Sequence, residues 1–231
     1  MIELNPSNQK ELFVLDKYLV ELIDLYEKNK LPNKILFSGL KGLGKATLSY
    51  HLINYILSEN EEFEYDKTEF KIDDRNKTFK TIQNKTNLNF KLIDIDNEKK
   101  TIDIKQIRDL ILNLNKSSFN NKPRFVLIDN IDLLNVNAIN ALLKILEEPS
   151  NNTYFILINS NKKILSTLLS RCLNFKIFLS YDEKLKVLKN ILNLNLDNLL
   201  KNDFINYYSS PGNIYQLVKF AKQNEYDLER V

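Results

Sequence analysis

The chain has 231 residues, 43% of them hydrophobic, and its 33 basic and 30 acidic side chains leave a net charge of +3. It can bury one good core and a small satellite domain, and the balanced charge does not favour a dedicated nucleic-acid binder. With only one cysteine and one histidine, Cys172 and His51, the sequence excludes an internal disulfide and a structural zinc site. Neither a signal peptide nor an apolar stretch of about 18 residues occurs, so we expect a cytoplasmic protein without membrane contact.

The first part of the chain predicts a helix, a strand, a loop and a second helix. Apolar residues recur at helical spacing over about 9–29, and the short apolar run at 35–37 indicates a strand. A second helical stripe follows the glycines from Leu48 to Leu57. Residues 58–89 are charged and poor in aliphatic side chains, so we expect a polar insertion or loop with some structure of its own.

Strand and helix signals alternate in the middle of the chain. Strands are indicated at four places, namely 90–96, 125–129, 153–159 and 173–178. Helical stripes at 104–114 and 138–146, and a short helix before Ser170, separate them. This alternation predicts an α/β domain over residues 1–179, with a parallel sheet covered by helices on both faces.

Beyond about Tyr181 the strand signals cease and only helical stripes remain. They include Leu185 and Leu188, then Phe204 and Tyr207, and then the stripe at 214–218. We therefore expect a small all-helical domain over residues 180–231.

The glycine-rich loop between the first strand and the second helix is the strongest functional signal. Glycines let backbone N–H groups converge on an anion, the helix N-terminus adds partial positive charge, and a lysine adds a full charge. The candidate nucleotide-binding residues of this loop are Gly39, Gly42, Leu43, Gly44, Lys45, Ala46 and Thr47. The alternative is an ordinary glycine-rich turn.

One position in this loop is unsuited to catalysis. A Ser or Thr after the lysine would hold Mg²⁺, but the chain has Ala46 there. Thr47 does not obviously replace it, because the next helical residue is rotated by about 100°. We expect weak binding of ATP or ADP without a requirement for Mg²⁺, and no metal ligand set is predicted.

Polar residues at two predicted strand ends extend the candidate site. Asp129 is placed to hold the hydration shell of Mg²⁺, but the residue after it is Asn130 where a catalytic Glu would orient water. Asn159, at the end of the following strand, is placed to read a γ-phosphate. The alternative for Asp129 and for Asn159 is a turn-forming residue.

Arg171 is the candidate catalytic residue. It follows a turn of helix and precedes a predicted edge strand, and its guanidinium could stabilise the charge of phosphoryl transfer as an arginine finger. From this position it would act in trans, on a neighbouring subunit. The alternative is a surface arginine in a salt bridge.

Two further motifs carry a family resemblance. The stretch Asn-Ala-Leu-Leu-Lys-Ile-Leu-Glu-Glu-Pro at 140–149, followed by Ser-Arg-Cys at 170–172, resembles the bacterial clamp-loader AAA+ family, and within it the delta-prime type of subunit. The resemblance covers about residues 5–220. It implies an AAA+ P-loop fold with a helical lid, and membership of a hetero-pentamer that opens a sliding clamp and places it on primed DNA. In such a pentamer, Arg171 would reach the ATP of the adjacent subunit.

The same resemblance implies loss of catalysis in this chain. Motor subunits of the family keep a hydroxyl, a Glu and a lid arginine at the positions of Ala46, Asn130 and Asn213. These losses favour a non-catalytic stator that supplies Arg171. Two alternatives stay open: a motor subunit in which Thr47 and a displaced acid sustain hydrolysis, and a free-standing P-loop kinase or NTPase.

Two departures from the family pattern are also present. Relatives usually carry a four-cysteine zinc module where this chain has the cysteine-free insertion at 58–89, so no zinc is expected. Relatives also carry a third, C-terminal collar domain. This sequence stops at Val231, so we expect the collar to be either absent or truncated.

Overall fold

The fold is taken from a computed structural model, which describes residues 4–95, 100–115, 120–150, 152–160, 165–192, 210–224 and 226. Its five strands are β1 (Lys34–Ser38), β2 (Phe90–Ile93), β3 (Arg124–Ile128), β4 (Thr153–Asn159) and β5 (Leu173–Lys176). They form one sheet in the order β2-β3-β4-β1-β5, and every pair is parallel. The predicted parallel sheet is therefore confirmed, with β5 at one edge.

Eight α-helices occur in the described residues. They are α1 (Asp16–Glu27), α2 (Lys45–Leu57), α3 (Lys77–Gln83), α4 (Ile104–Leu114), α5 (Val136–Glu147), α6 (Ser166–Leu169), α7 (Tyr181–Leu192) and α8 (Pro211–Gln223). Short 3₁₀ helices cover Pro6–Asn8 and Ile131–Leu133. None of the helices in the described part of the chain is long and apolar enough to span a bilayer.

The two faces of the sheet are buried in separate apolar layers. In β1, Ile35 and Phe37 belong to the layer that contains residues of α1 and α2, whereas Leu36 belongs to the layer of α4 and α5. Alternate residues of a strand point to opposite faces, so a strand that is covered on both sides must be apolar throughout. This explains the continuous hydrophobic runs of the sequence.

The first helix begins later than predicted. The sequence predicts a start near residue 9, but α1 begins at Asp16, and Val14, two residues before it, has a φ of 55°. The segment that contains Leu12 pairs instead with the insertion, where the N–H of Leu12 donates to the carbonyl oxygen of Phe70 at 3.3 Å. Leu12 belongs to an extended segment, and its side chain is buried in the core. A buried leucine at this interval before α1 fits a helical pattern although no helix forms there.

The insertion at 58–89 folds onto α2 through buried polar contacts. Asn54 Nδ2 donates to Asn76 Oδ1 at 3.0 Å, and the same oxygen accepts the N–H of Phe79 at 2.6 Å, which caps α3. A second contact joins His51 Nδ1 and Tyr65 Oη at 2.8 Å. The expected polar insertion thus has a helix and a buried interior.

The ends of two predicted strands are corrected. β2 ends at Ile93, and Asp96 of the predicted strand lies outside the described residues. β5 ends at Lys176, two residues before the predicted end at Phe178.

The two C-terminal helices pack on each other. Their shared apolar cluster consists of Leu188, Leu192, Ile214, Tyr215 and Val218. The helical stripes predicted at 185–192 and 214–218 are confirmed, and no strand follows β5 in the part of the chain that is described.

The stripe predicted around Phe204 and Tyr207 lies outside the described residues.

Candidate nucleotide-binding site

The glycine loop joins β1 to α2 as predicted. Gly42 and Gly44 have φ values of 83° and 85°, a left-handed conformation that glycine adopts without strain. Gly44 is the N-cap of α2 and provides no side-chain hydrogen bond to the first turn of the helix. The N-terminus of α2 therefore faces the loop with its positive dipole end, which is the arrangement that binds phosphate in P-loops.

Lys45 is folded back over the loop. Its side chain is buried, and its Nζ donates to the carbonyl oxygens of Gly39 at 2.8 Å and Leu40 at 2.6 Å. Burial lowers the pKa of the Lys45 ammonium to about 8, and the carboxylates of Asp129 and Asp132 oppose that shift. A phosphate at this loop would have to replace the two carbonyl oxygens as the partner of Nζ.

A cavity of about 330 Å³ lies beside the loop. Among the predicted site residues, its lining contains Gly42, Leu43, Gly44, Lys45, Ala46, Thr47 and Asp129. Apolar side chains, including Phe13, Leu179 and Ile191, form another part of its wall. Ligand cavities are typically a few hundred Å³ in size and largely apolar, with a few converging polar groups, so the cavity has the size and lining of a small-molecule pocket.

Asp129 follows β3 and lies at the cavity. Burial and, next, the nearby carboxylate of Asp94 raise its pKa to about 6, while the N–H of Asn130 and the Lys45 ammonium oppose that shift. The N–H of Asn130 donates to Asp129 Oδ1 at 2.8 Å. Asp129 is therefore a partly buried acid with a raised pKa beside the loop lysine, at the predicted strand end.

The side chain of Asn130 is held by a residue that the sequence analysis did not single out. Asn130 has a φ of 56°, and its Nδ2 donates to Asp94 Oδ1 at 3.0 Å. Asp94 comes directly after β2, so its place at the end of a predicted strand was the signal that could have identified it. The amide that stands where a catalytic Glu would be is thus bound to a neighbouring strand end.

Asn159 ends β4 and is paired in register with Ser38 of β1. It is only 2% exposed, and its neighbours Ile158 and Ser160 line the cavity, whereas Asn159 is not among the lining residues. Its role in reading a γ-phosphate stays a prediction. Within the described residues, no group of three or more His, Cys, Asp or Glu is placed to hold a metal ion.

The N-terminus of α8 lies directly on the glycine loop. The N–H of Gly212 donates to the carbonyl oxygen of Gly42 at 3.0 Å, and a Cβ on Gly212 would lie 2.6 Å from the Cα of Gly42. Asn213, at the position that the resemblance assigns to the lid arginine, is exposed and lines the cavity. The sequence does not predict this contact between the glycine loop and α8.

Arg171 lies away from this cavity. It sits between α6 and the edge strand β5, and it is not among the residues that line the cavity. Its Nη2 lies 2.7 Å from Glu147 Oε1, and its Nη1 donates to the carbonyl oxygen of Thr167 at 2.9 Å. Within the single chain Arg171 is a partly exposed arginine in a salt bridge, as the alternative in the sequence analysis has it. Its role as an arginine finger in trans stays a prediction.

Comparison with known proteins gives the family. The model of the family described as "DNA polymerase III, delta subunit" matches residues 15–179. A delta-prime subunit of DNA polymerase III from Buchnera aphidicola subsp. Baizongia pistaciae is 42% identical over 83 residues, which are 36% of this chain and 25% of that protein. A gamma subunit from Buchnera aphidicola subsp. Schizaphis graminum is 31% identical over 191 residues, 81% of this chain and 50% of that protein.

The fold agrees with a solved relative. The gamma-subunit-related protein of Thermotoga maritima superposes with a TM-score of 0.53 at 20% identity, covering 77% of this chain and 52% of the other. The predicted α/β class with an AAA+-like, all-parallel five-stranded sheet is thereby confirmed. The chain spans half or less of the length of the two Buchnera relatives. Since the family model covers the glycine loop, all five described strands and Arg171, the chain belongs to the family of the DNA polymerase III delta subunit.

Proposed function

We propose that this chain is a delta-prime-like stator of a bacterial clamp loader, which helps to place a sliding clamp on primed DNA as part of a hetero-pentamer. In this proposal residues 1–179 form the AAA+ domain, and residues 180–231, with α7 and α8, form its lid. The chain does not hydrolyse ATP itself. It supplies Arg171 to the nucleotide site of the adjacent subunit.

The observation that carries the proposal is the state of the two catalytic positions beside the loop. Ala46 has no hydroxyl to hold Mg²⁺, and the amide of Asn130 is bonded to Asp94 and cannot take a proton. Losing a single group that stabilises a transition state typically costs about 10²–10³ in rate. Two such losses around an intact fold support a subunit that keeps the P-loop shape without its chemistry.

The residues that remain fit a nucleotide, although weakly. The loop and the α2 N-terminus suit phosphates, and the apolar wall of the cavity suits a base. Bound ATP or ADP would bring phosphate oxygens that compete with Gly39 and Leu40 for the Lys45 ammonium. We therefore infer weak ATP or ADP binding, without a need for Mg²⁺.

Arg171 supports the second half of the proposal. It lies next to the edge strand of the sheet, outside its own cavity, with its side chain 31% exposed. A planar guanidinium can bind two phosphate oxygens at once, and an arginine finger from an adjacent subunit is a recurring element of NTP hydrolysis.

The second candidate is a motor subunit that hydrolyses ATP. The similarity to a gamma subunit, 31% identical over 81% of this chain, does not single out the delta-prime type. Thr47 lines the cavity together with Lys45, which places a hydroxyl-bearing side chain at the site. In this alternative, Thr47 would hold Mg²⁺ and hydrolysis would depend on a displaced acid.

ATP turnover by the purified chain separates the two candidates. The stator proposal predicts equal, background rates for the wild-type chain, Lys45→Ala and Thr47→Ala. Turnover of about 1 s⁻¹, an ordinary enzyme rate, that is abolished by both substitutions would replace the stator by the motor. Capture of the clamp-loader subunits from the same source by the tagged chain tests membership of the complex, and failure to capture them would contradict it.

A further inference from the structure

The guanidinium of Arg171 is held in place by oxygen atoms from two helices. Glu147 Oε1, at the end of α5, accepts from Nη2 at 2.7 Å, and the carbonyl oxygen of Thr167 in α6 accepts from Nη1 at 2.9 Å. Ser170 Oγ lies 3.4 Å from Nη1. A free arginine side chain samples many rotamers, so these contacts select one of them.

The backbone at Glu147, from which this carboxylate extends, is fixed by the fold. Glu147 is the last residue of α5, and two leucines of that helix, Leu142 and Leu146, are fully buried against the sheet. Lys34 Nζ, at the start of β1, donates to the carbonyl oxygen of Leu146 at 3.1 Å and so secures the end of the helix. The position of Glu147 therefore follows from the packing of the sheet.

The contacts made by the described residues leave part of the guanidinium for a further partner. Arginine has five N–H groups, and Glu147, Thr167 and Ser170 together occupy at most three of them. An anion that approaches from outside the chain could therefore bind Arg171 while Glu147 stays in contact with it.

We propose that Glu147 is a positioning residue for Arg171, which holds the guanidinium in the orientation that reaches the phosphate of an adjacent subunit. This inference rests on the proposed function, since it needs Arg171 to act in trans. An exposed ion pair contributes little to stability, and Glu147 is 55% exposed, so Glu147→Ala should leave the fold intact and a change in rate should report on Arg171.

The test uses a clamp loader reconstituted from the subunits of the same source, in which only the ATP site facing this chain keeps its P-loop lysine. Glu147→Ala should lower kcat at that site by about fivefold to tenfold, because an unrestrained arginine must first find the productive rotamer. The KM for ATP should change less than about twofold, since the contact acts mainly in the transition state. Glu147→Gln should recover most of the rate, because its amide oxygen accepts the same hydrogen bond.

Two controls make the result specific. Glu148→Ala, the neighbouring exposed glutamate of the same motif, should leave kcat unchanged. In an Arg171→Ala background, Glu147→Ala should have no further effect, because the residue it positions is gone.

The outcomes also separate this inference from the proposed function. If Arg171→Ala lowers the rate but Glu147→Ala does not, Glu147 has no positioning role and the stator proposal stands. If Arg171→Ala itself leaves the rate unchanged, the role in trans and the inference fall together. Equal losses for Glu147→Ala and Glu147→Gln, with a matching loss of complex assembly, would show that Glu147 is merely structural.

Discussion

Gly212→Ala tests the contact between α8 and the glycine loop. The added Cβ would lie 2.6 Å from the Cα of Gly42 and 3.0 Å from its carbonyl oxygen, and both of these are backbone atoms. Neither atom can rotate away as the end of a side chain would. The loop and the helix must therefore separate, and the hydrogen bond from Gly212 N to Gly42 O, now 3.0 Å long, would stretch or break.

The expected cost follows from these contacts. Overpacking a close contact costs about 1–3 kcal/mol, and losing a net hydrogen bond costs about 1 kcal/mol. The better helix propensity of alanine returns up to about 1 kcal/mol. The free energy of unfolding should therefore fall by about 1–3 kcal/mol, which is a fall in Tm of about 2–12 °C for a chain of this size.

Thermal unfolding of Gly212→Ala beside Asn213→Ala measures this effect. Asn213 is the next residue of α8 and its side chain is exposed, so its replacement should change Tm by less than about 2 °C. Gly42→Ala should be similarly destabilising, because its Cβ would lie 2.9 Å from the Cα of Gly212. A Gly212→Ala chain as stable as the wild type would refute the close contact.

Three further predictions concern the acid, the insertion and the metal. Asp129→Asn should raise the free energy of unfolding at pH 7 by up to about 3 kcal/mol. The pKa of Asp129 in the folded protein, about 6, lies above its ordinary 3.8, so the wild-type protein loses stability as the pH rises from about 4 to 6, whereas the neutral amide of the variant does not. This gain should vanish below about pH 4 in urea melts, and an equal gain at pH 7 and below pH 4 would contradict the raised pKa of Asp129. Asn76→Ala should lower the free energy of unfolding by about 2–4 kcal/mol in the same melts, because it removes the cap of α3 and leaves the buried amide of Asn54 without its partner. The control Asn84→Ala, at the exposed end of α3, should lower it far less. Calorimetric affinity for ATP or ADP should change less than about threefold when Mg²⁺ is chelated, because Ala46 offers no ligand, and a large dependence would mean that Thr47 or water restores the metal site.

The central strands and the glycine loop could be predicted because local sequence determines them. A strand buried on both faces must be apolar throughout, as in β3 and β4, and a glycine loop needs its glycines where φ is positive. The start of α1 could not be predicted, because a buried Leu12 extends the apolar pattern of the helix whether its own backbone is helical or extended. Burial of Asn76 could not be read from a polar segment, because its partner Asn54 lies on another helix.

The composition of the candidate site was visible in the sequence, but its contacts were not. The resemblance assigns Ala46 and Asn130 to positions where motor subunits keep catalytic groups, and this comparison needs only their places in the sequence. The contact of Asn130 with Asp94 and that of Arg171 with Glu147 depend on how strand ends and helices meet in the folded chain. Tertiary packing decides these contacts, and one sequence contains no local pattern for them.

The most direct test of the stator proposal compares two substitutions of this chain within the reconstituted clamp loader. Lys45→Ala should leave steady-state ATPase and clamp loading at the wild-type level, since the chain's own site does no chemistry. Arg171→Ala should lower both, with a loss of up to about 10³–10⁵ confined to the one site that receives the arginine, and Arg171→Lys should restore little of it. A complex that is slowed by Lys45→Ala and unaffected by Arg171→Ala would contradict the stator and identify the chain as a motor.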